Sequence, residues 1–260
     1  MFQELSEGVF RRRFPFLRLN IGVVVGEDGV LLVDTRESHE AARELAGELR
    51  TLTSKPVRWV MNTHWHWDHA FGNSVFPDAA IWGHRLCRLA LRDSPEQHRR
   101  DARMWMPRSR FCEIERVQIV PPEETFEALT SIDVGGRKVE ATYHGRGHTD
   151  ADILIHCGGV TFMGDLVEEG DSPKMGDSYP FDWPNTLVAA RSTLRPTVVP
   201  GHGELLTPED VEDQRRRLAQ AAEILGQVLH EGRPADEAVR SGPIPELDMR
   251  KALARARCSG

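Results

Sequence analysis

The sequence predicts an α+β fold in which two mixed β-sheets pack together and helices cover the outside. Short apolar segments rich in β-branched residues are joined by tight glycine turns, which predicts antiparallel neighbours. Helical segments interleave with these strands. A purely parallel, doubly wound sheet does not fit so many hairpins, so two packed sheets with outer helices are the better prediction.

The first elements are a hairpin, a helix and a strand. Segments 20–25 and 30–34 flank a Gly-Glu-Asp-Gly turn, which predicts a hairpin. Residues 38–50 are predicted to be helical because apolar residues recur every fourth position behind Ser38, a suitable N-cap. Segment 57–61 is a predicted buried strand that leads into a histidine-rich motif.

The remaining elements follow from the same patterns. Helices are predicted at 185–194 and after Thr207, whose side chain suits an N-cap with Pro208 behind it. We expect one domain over residues 1–260, with helical or loop insertions at 84–110 and 168–184 and a C-terminal helical segment at 207–256. Further strands are predicted at 80–82, 114–120, 126–134, 139–143, 153–157, 160–163 and 197–199.

Composition narrows the class of protein. The chain has 260 residues, of which 40% are hydrophobic and 28% charged, with a net charge of −7. No apolar run reaches the roughly 18 residues of a membrane span, and Arg11–Arg13 precede no apolar signal region. We therefore expect a cytoplasmic protein without membrane association that acts on a small molecule. The negative charge disfavours a nucleic-acid partner, and the sequence leaves the oligomeric state open.

Seven potential metal ligands dominate the sequence. Four of them lie within six residues, directly after the predicted strand 57–61, and three follow far downstream in small-residue turns. Seven imidazole and carboxylate ligands are what two adjacent divalent metals need when a water position stays open. The seven residues are His64, His66, Asp68, His69, His148, Asp165 and His202.

Alternation along an extended segment divides these ligands between two metals. Side chains two positions apart point the same way, so the first two histidines can hold one metal. A carboxylate suits a bridging position because it has two oxygens. We assign His64, His66 and His148 to metal one, Asp68, His69 and His202 to metal two, and Asp165 to both.

This ligand set predicts hydrolytic chemistry. Imidazole and carboxylate ligands suit two Zn²⁺ ions, and iron, manganese or cobalt are accepted by the same atoms. A water between the metals would ionise near neutral pH and act as the nucleophile. Asp68 is the predicted catalytic residue, since it can orient that hydroxide and then carry its proton.

The ordered motifs resemble those of the metallo-β-lactamase-fold hydrolase superfamily. The chain reads H-x-H-x-D-H, then G-x-G-H-T, G-D and P-G-H-G, over roughly residues 20–206. The resemblance implies an αββα sandwich with the metal site at one edge between the sheets. Residues 30–35 are similar to the family's early strand, whose aspartate, here Asp34, usually braces the metal loop.

Two departures from that resemblance bear on the substrate. The best-known β-lactamases of the family have a cysteine where this chain has Asp165. Three residues later they often carry a lysine that grips the antibiotic's carboxylate, and lactone hydrolases tend to carry a tyrosine, whereas this chain has Glu168. Both differences count against a dedicated antibiotic-degrading enzyme, and the substrate stays open.

Neighbouring residues are candidates for supporting roles. Hydrogen bonds from polar residues near the ligands would orient them, although simple turn chemistry explains the same residues. Aromatic residues in the predicted site loops could line a substrate pocket, or pack in the core instead. The supporting candidates are Asp34, Thr63, Thr149 and His144, and the pocket candidates are Trp67, Phe71 and Trp183.

The sequence predicts a dinuclear metal hydrolase that cleaves an ester, thioester, lactone or amide bond, β-lactams included. The first alternative is a mononuclear iron dioxygenase acting on a persulfide, whose ligand types are present here. The second is a phosphodiesterase or nuclease on the same scaffold, because two metals suit phosphoryl transfer equally well. A non-catalytic binding module is the last alternative.

Overall fold

Two mixed β-sheets form the centre of the computed structural model, which describes residues 1–258. In both sheets the strands lie side by side in chain order. The first sheet contains β1 (Gln3–Ser6), β2 (Val9–Arg13), β3 (Asn20–Val25), β4 (Val30–Val33), β5 (Val57–Met61), β6 (Ala80–His84) and β7 (Glu124–Phe126). The second contains β8 (Leu129–Asp133), β9 (Lys138–Tyr143), β10 (Ile153–Cys157), β11 (Val160–Gly164) and β12 (Thr197–Pro200).

Connection length decides how neighbouring strands pair. The strands from β1 to β4 and from β8 to β11 pair antiparallel. The strands from β4 to β7 pair parallel, as do β11 and β12. Longer connections separate the parallel pairs, as parallel geometry requires. The predicted pair of mixed sheets is confirmed.

Helices cover both outer faces. The predicted N-caps are present: Ser38 Oγ accepts the Ala41 N–H at 3.2 Å, and Thr207 forms a capping box with Asp210. The helices are α1 (His39–Leu52), α2 (Trp67–Ala70), α3 (Arg85–Asp93), α4 (Pro95–Trp105), α5 (Phe111–Arg116), α6 (Trp183–Ala190), α7 (Pro208–His230), α8 (Ala235–Arg240) and α9 (Glu246–Cys258).

Central strands are buried on both faces, so alternate residues serve different cores. Leu31 of β4 packs toward the second sheet, in one cluster with Ile153. Leu32 packs the other way, against Leu45 of α1. In β10, Leu154 joins the cluster under α6, α7 and α9. This alternation explains why these strands are continuously apolar in sequence.

Two predicted strands are wrong. Segment 114–120 contains the end of α5, because Ile114 and Val117, three apart, pack together under Phe71 at a helical spacing. Segment 126–134 is not one strand, since β7 ends at Phe126 in the first sheet and β8 begins at Leu129 in the second. The chain crosses between the sheets there, which an apolar pattern does not reveal.

Among residues 1–258, no helix is both long enough and apolar enough to cross a membrane.

His156 in β10 is expected to make the fold acid-sensitive. Its side chain is 3% exposed, and its ring nitrogens lie 3.0 Å from Thr161 Oγ1 and 3.3 Å from Thr142 Oγ1. Burial, with repulsion from Arg195, lowers the pKa of His156 to about 4. As the pH falls from about 6.5 toward 4, His156 binds a proton in the unfolded chain but not in the folded chain, so the free energy of unfolding falls.

Over this pH range, the free energy of unfolding of the parent chain should therefore fall by on the order of 2–3 kcal/mol more than that of His156→Gln. Urea unfolding of the metal-free chain between pH 7 and 4 measures the difference between variant and parent. His230→Gln, at an exposed position near the end of α7, is the matched control. An unchanged pH slope in His156→Gln would contradict the expectation.

Candidate metal centre

The potential metal ligands lie where strands and loops of both sheets end at one edge. His64 follows β5, Asp165 follows β11 and His202 follows β12. His148 lies in the loop between β9 and β10, and α2 carries the Asp68–His69 pair. The structure therefore brings together seven residues separated by as many as 138 positions, from His64 to His202, in two groups.

The first group contains three histidines around one oxygen of Asp165. Its ligand atoms lie within 4.8 Å of one another. His66 Nδ1 is 2.8 Å from His148 Nε2. Asp165 Oδ2 lies 3.4 Å from His148 Nε2 and 3.7 Å from His64 Nε2.

The second group contains Asp68, His69 and His202, also within 4.8 Å. His202 Nε2 lies 3.3 Å from Asp68 Oδ2 and 3.4 Å from His69 Nε2. Asp165 Oδ1 is 3.2 Å from His69 Nε2 and 3.4 Å from His202 Nε2. The two oxygens of Asp165 thus face different groups, which is the arrangement that a bridging carboxylate needs.

Outer hydrogen bonds set which ring nitrogen of His64, His69 and His202 faces inward. His69 Nδ1 lies 2.8 Å from Asp34 Oδ2, and His202 Nδ1 lies 2.8 Å from Leu17 O. His64 Nδ1 lies 3.0 Å from Thr63 Oγ1. When these Nδ1 atoms carry the proton, each Nε2 presents a lone pair to the centre.

Asp34 is the brace of this arrangement. Besides His69, its carboxylate accepts the Thr63 backbone N–H and the Thr63 hydroxyl, each at 2.8 Å. The backbone φ of Asp34 is +66°, a left-handed conformation that Asp and Asn adopt more readily than most residues. Asp34 therefore contacts the potential ligand His69, and Thr63 contacts the potential ligand His64.

The other two predicted supporting residues are directed elsewhere. Thr149 donates its N–H at 2.8 Å and its hydroxyl at 2.6 Å to Asp152, which closes the turn after His148. His144 Nε2 lies 3.0 Å from Thr142 Oγ1. Thr149 therefore acts on the shape of the loop, and His144 belongs to the network on the outer part of β9.

Asp177 contacts the potential ligand His66 and is not among the residues predicted from the sequence. Its Oδ2 lies 3.2 Å from His66 Nε2, so His66 turns Nδ1 toward the first group. The hydrogen bond to His66 lowers the pKa of Asp177 to about 2. Asp177 lies in the predicted loop 168–184, but no spacing or motif distinguishes it from the loop's other carboxylates.

The three aromatic pocket candidates are core residues, which corrects that prediction. Phe71 and Trp67 pack in the cluster of Ala102 and Ile114, and Phe71 is fully buried. Trp183 is also fully buried, donates its Nε1–H to Leu166 O at 3.1 Å, and lies behind His148 at 5.6 Å between ring centroids. Their side chains support the ligand loops from behind and cannot line an open pocket.

The electrostatics of the site suit cations. Burial, with repulsion from His66, lowers the pKa of His148 to about 3, and burial lowers that of His64 well below its usual value. Neighbouring His202 and His69 overcome the opposing effect of burial and hold the pKa of Asp165 very low. At neutral pH His64 and His148 are therefore neutral donors, which is the protonation state that metal binding requires. The carboxylates of the site overcome the opposing effect of burial and raise the pKa of His69 and His202, so a metal would displace a proton from each of them.

Unpartnered buried atoms also fit metal ions. Within the described residues, His64 Nε2 and Asp165 Oδ1 have no hydrogen-bond partner although both are buried. Buried polar atoms without partners are costly, and those that persist need an explanation such as an ion. One of these atoms faces each group: His64 Nε2 faces the first and Asp165 Oδ1 faces the second. Each group also contains a pair of histidine nitrogens, 2.8 Å apart in the first and 3.4 Å apart in the second, so each group fits a metal ion.

Comparison with known proteins agrees with this geometry. The family model described as the metallo-beta-lactamase superfamily matches residues 15–202. A metallo-beta-lactamase type 2 of Bacillus cereus is 26% identical over 187 residues, which cover 68% of this chain and 64% of that relative. The chain thus spans somewhat under two thirds of that curated relative.

Solved structures show the same fold at lower identity. A metallo-beta-lactamase from Pontibacter korlensis has a TM-score of 0.67 at 18% identity, covering 84% of this chain and 98% of that one. The mono-zinc form of a metallo-beta-lactamase from Pseudomonas aeruginosa has a TM-score of 0.64 at 18% identity, covering 85% and 96%. Such identities establish the fold alone, but the family model spans most of the chain, and the chain belongs to the metallo-beta-lactamase superfamily.

Proposed function

We propose that this protein is a dinuclear metal-dependent hydrolase that cleaves an ester, thioester, lactone or amide bond of a small molecule. The observation that carries the proposal is the position of Asp165, with one carboxylate oxygen toward each group of ligands. Zinc is the proposed metal, since three imidazoles in one group and two in the other are borderline ligands.

Bound metals would supply a Lewis acid for the scissile carbonyl and lower the pKa of a water held there. The chain's own residues do the rest. Asp68 lies at the border of the second group, with Oδ2 directed at His202 and His69. His69 and His202 outweigh the opposing effect of burial and lower the pKa of Asp68. Ionised Asp68 can accept the proton of the attacking water and pass it to the leaving group.

Solvent and substrate would reach the site from the side of His66 and His202. His66 and His202 are the partly exposed histidines of the set, while His64, His69 and His148 are buried. Asp177 holds His66 from the outer side, and Trp65 beside it donates its Nε1–H to Asp150 at 2.9 Å. A substrate would therefore approach across the imidazoles of His66 and His202, with the buried ligands beneath it.

Metal analysis and a substrate panel on the same sample test the proposal. We expect two metal ions per chain and turnover of at least one carbonyl substrate among p-nitrophenyl acetate, a thioester, a lactone and nitrocefin. Chelation should abolish turnover, and added Zn²⁺ should restore it. One iron per chain with oxygen uptake on a persulfide would replace the proposal by a dioxygenase. Preferred turnover of bis-p-nitrophenyl phosphate would replace it by a phosphodiesterase.

A further inference from the structure

A cavity of about 490 Å³ lies beside the second ligand group. The segment after Asp165, the first turns of α7 and the turn at residues 243–245 line it. Its inner wall adjoins the metal centre, because the Glu169 N–H donates to His202 O at 3.2 Å. Gln214 of α7 fixes the same segment by accepting the Glu168 N–H at 3.0 Å and donating to Leu166 O at 2.8 Å.

The cavity is acidic, but most of its carboxylates already have partners. Five lining residues are acidic and one, Arg217, is basic. Four of the acidic side chains already have a partner. Glu169 pairs with Arg18, Asp171 with Lys174 and Asp213 with Arg216, and Asp210 accepts a hydrogen bond from Thr207. The remaining one is Glu168.

Glu168 is buried in this wall without a partner for one of its oxygens. The residue is 6% exposed, and within the described part of the chain Glu168 Oε1 has no hydrogen-bond partner. Ser172, 8% exposed on the same cavity, also has an unpartnered hydroxyl. Burial and the nearby Asp165 outweigh the cations His202 and Lys174 and raise the pKa of Glu168 to about 8, so a further cation placed against this oxygen would favour the ionised form.

We infer that this cavity is a subsite for a positively charged group, such as an ammonium or guanidinium, with the Glu168 carboxylate as its anchor. The inference rests on the proposed function in that the cation would belong to the substrate or product of the adjacent centre. Ser172 Oγ supplies a second acceptor, and the buried side chain of Ile244 gives an apolar wall for the carbon chain that carries the charge. In its ionised form the same side chain would repel substrates that bring their own carboxylate to this side of the centre.

Binding of two matched probes tests the subsite independently of any hydrolysis. 4-Phenylbutylamine and 4-phenylbutyrate have similar size and opposite charge, and isothermal titration calorimetry on the full chain gives their dissociation constants. We expect the amine to bind at least about tenfold more tightly than the carboxylate. Glu168→Gln should remove that preference, Glu168→Lys should reverse it, and Ser172→Ala should weaken only the amine.

Controls separate this inference from the proposed function. Glu212→Gln changes a carboxylate on α7 that pairs with Arg215 and does not line the cavity, so probe affinities should stay at the parent values. Equal affinity of the parent chain for both probes, or amine binding unaffected by Glu168→Gln, would overturn the subsite. Amine binding without turnover of any panel substrate would leave the subsite standing and defeat the hydrolase proposal, and turnover without charge preference would do the opposite.

Discussion

Asp165→Asn is expected to lower kcat/KM more than about a hundredfold for any panel substrate that the parent chain hydrolyses. About a hundredfold is the upper end of the loss caused by removing an outer partner of a metal ligand. The substitution keeps the shape of the side chain and replaces one oxygen by an NH2 group. That NH2 cannot coordinate a cation, so only one of the two ligand groups keeps an oxygen from this side chain, and that oxygen is an uncharged amide oxygen. The bound metal should fall from two ions per chain to one.

Metal content by mass spectrometry and steady-state kinetics on the same preparation check this prediction. Asp236→Asn is the matched control, because Asp236 is an exposed carboxylate of α8 that pairs with Arg250 at 3.1 Å. Full activity and two metals in Asp165→Asn would show that Asp165 does not bridge. An unfolded variant is recognised by circular dichroism and is unexpected, since removal of a buried negative charge leaves the apolar clusters of both sheets intact.

The fold was predictable because its strands and turns are locally encoded. The turn of residues 26–29 and the cap at Ser38 depend on neighbours in sequence, and the structure has both. Segment 114–120 failed because its apolar residues fit strand and helix spacing equally over so short a distance. Packing of Ile114 against Phe71 and Ala102, more than ten residues away in the chain, decides for the helix.

For the candidate site, too, some features could be predicted from the sequence and others could not. The grouping of the seven potential ligands could be predicted because four follow shortly after the apolar strand β5 and the other three lie in turns that contain glycine. Their role as metal ligands stays a prediction. The contact of Asp177 with His66 could not be predicted, because it depends on how the long segment between β11 and α6, residues 165–182, folds back over the site. Nor could the sequence tell that Phe71 and Trp183 point into the core.

The Glu168 position illustrates what the structure adds to a motif. In sequence it is a departure from residues expected at that place, which says only which substrates are disfavoured. In the structure it becomes a buried carboxylate with an unpartnered oxygen on a cavity wall beside His202. The absence of the lysine thereby becomes an expectation about ligand charge, since burial raises the pKa of Glu168 and a cation in the cavity would favour its ionised form.

Asp34→Asn is expected to weaken metal binding by roughly 10–100-fold and to destabilise the metal-free chain by about 2–4 kcal/mol. Three donors converge on the Asp34 carboxylate: the Thr63 N–H, the Thr63 hydroxyl and His69 Nδ1. An asparagine can accept on one side only, so its NH2 group faces a donor and leaves at least one buried hydrogen bond unmade. His69 then loses the partner that keeps its Nε2 lone pair inward.

Asparagine is the right replacement because it tolerates the φ of +66° at this position, so the variant removes charge without adding backbone strain. Chelator competition gives the metal affinities, and urea unfolding in EDTA gives the stability. Asp133→Asn is the control, since Asp133 accepts a backbone N–H from Gly135 in an exposed turn far from the ligands. Parent-like metal affinity in Asp34→Asn would mean that the ligands hold their orientation without the brace, and the tautomer argument for inward-facing Nε2 atoms would fail with it.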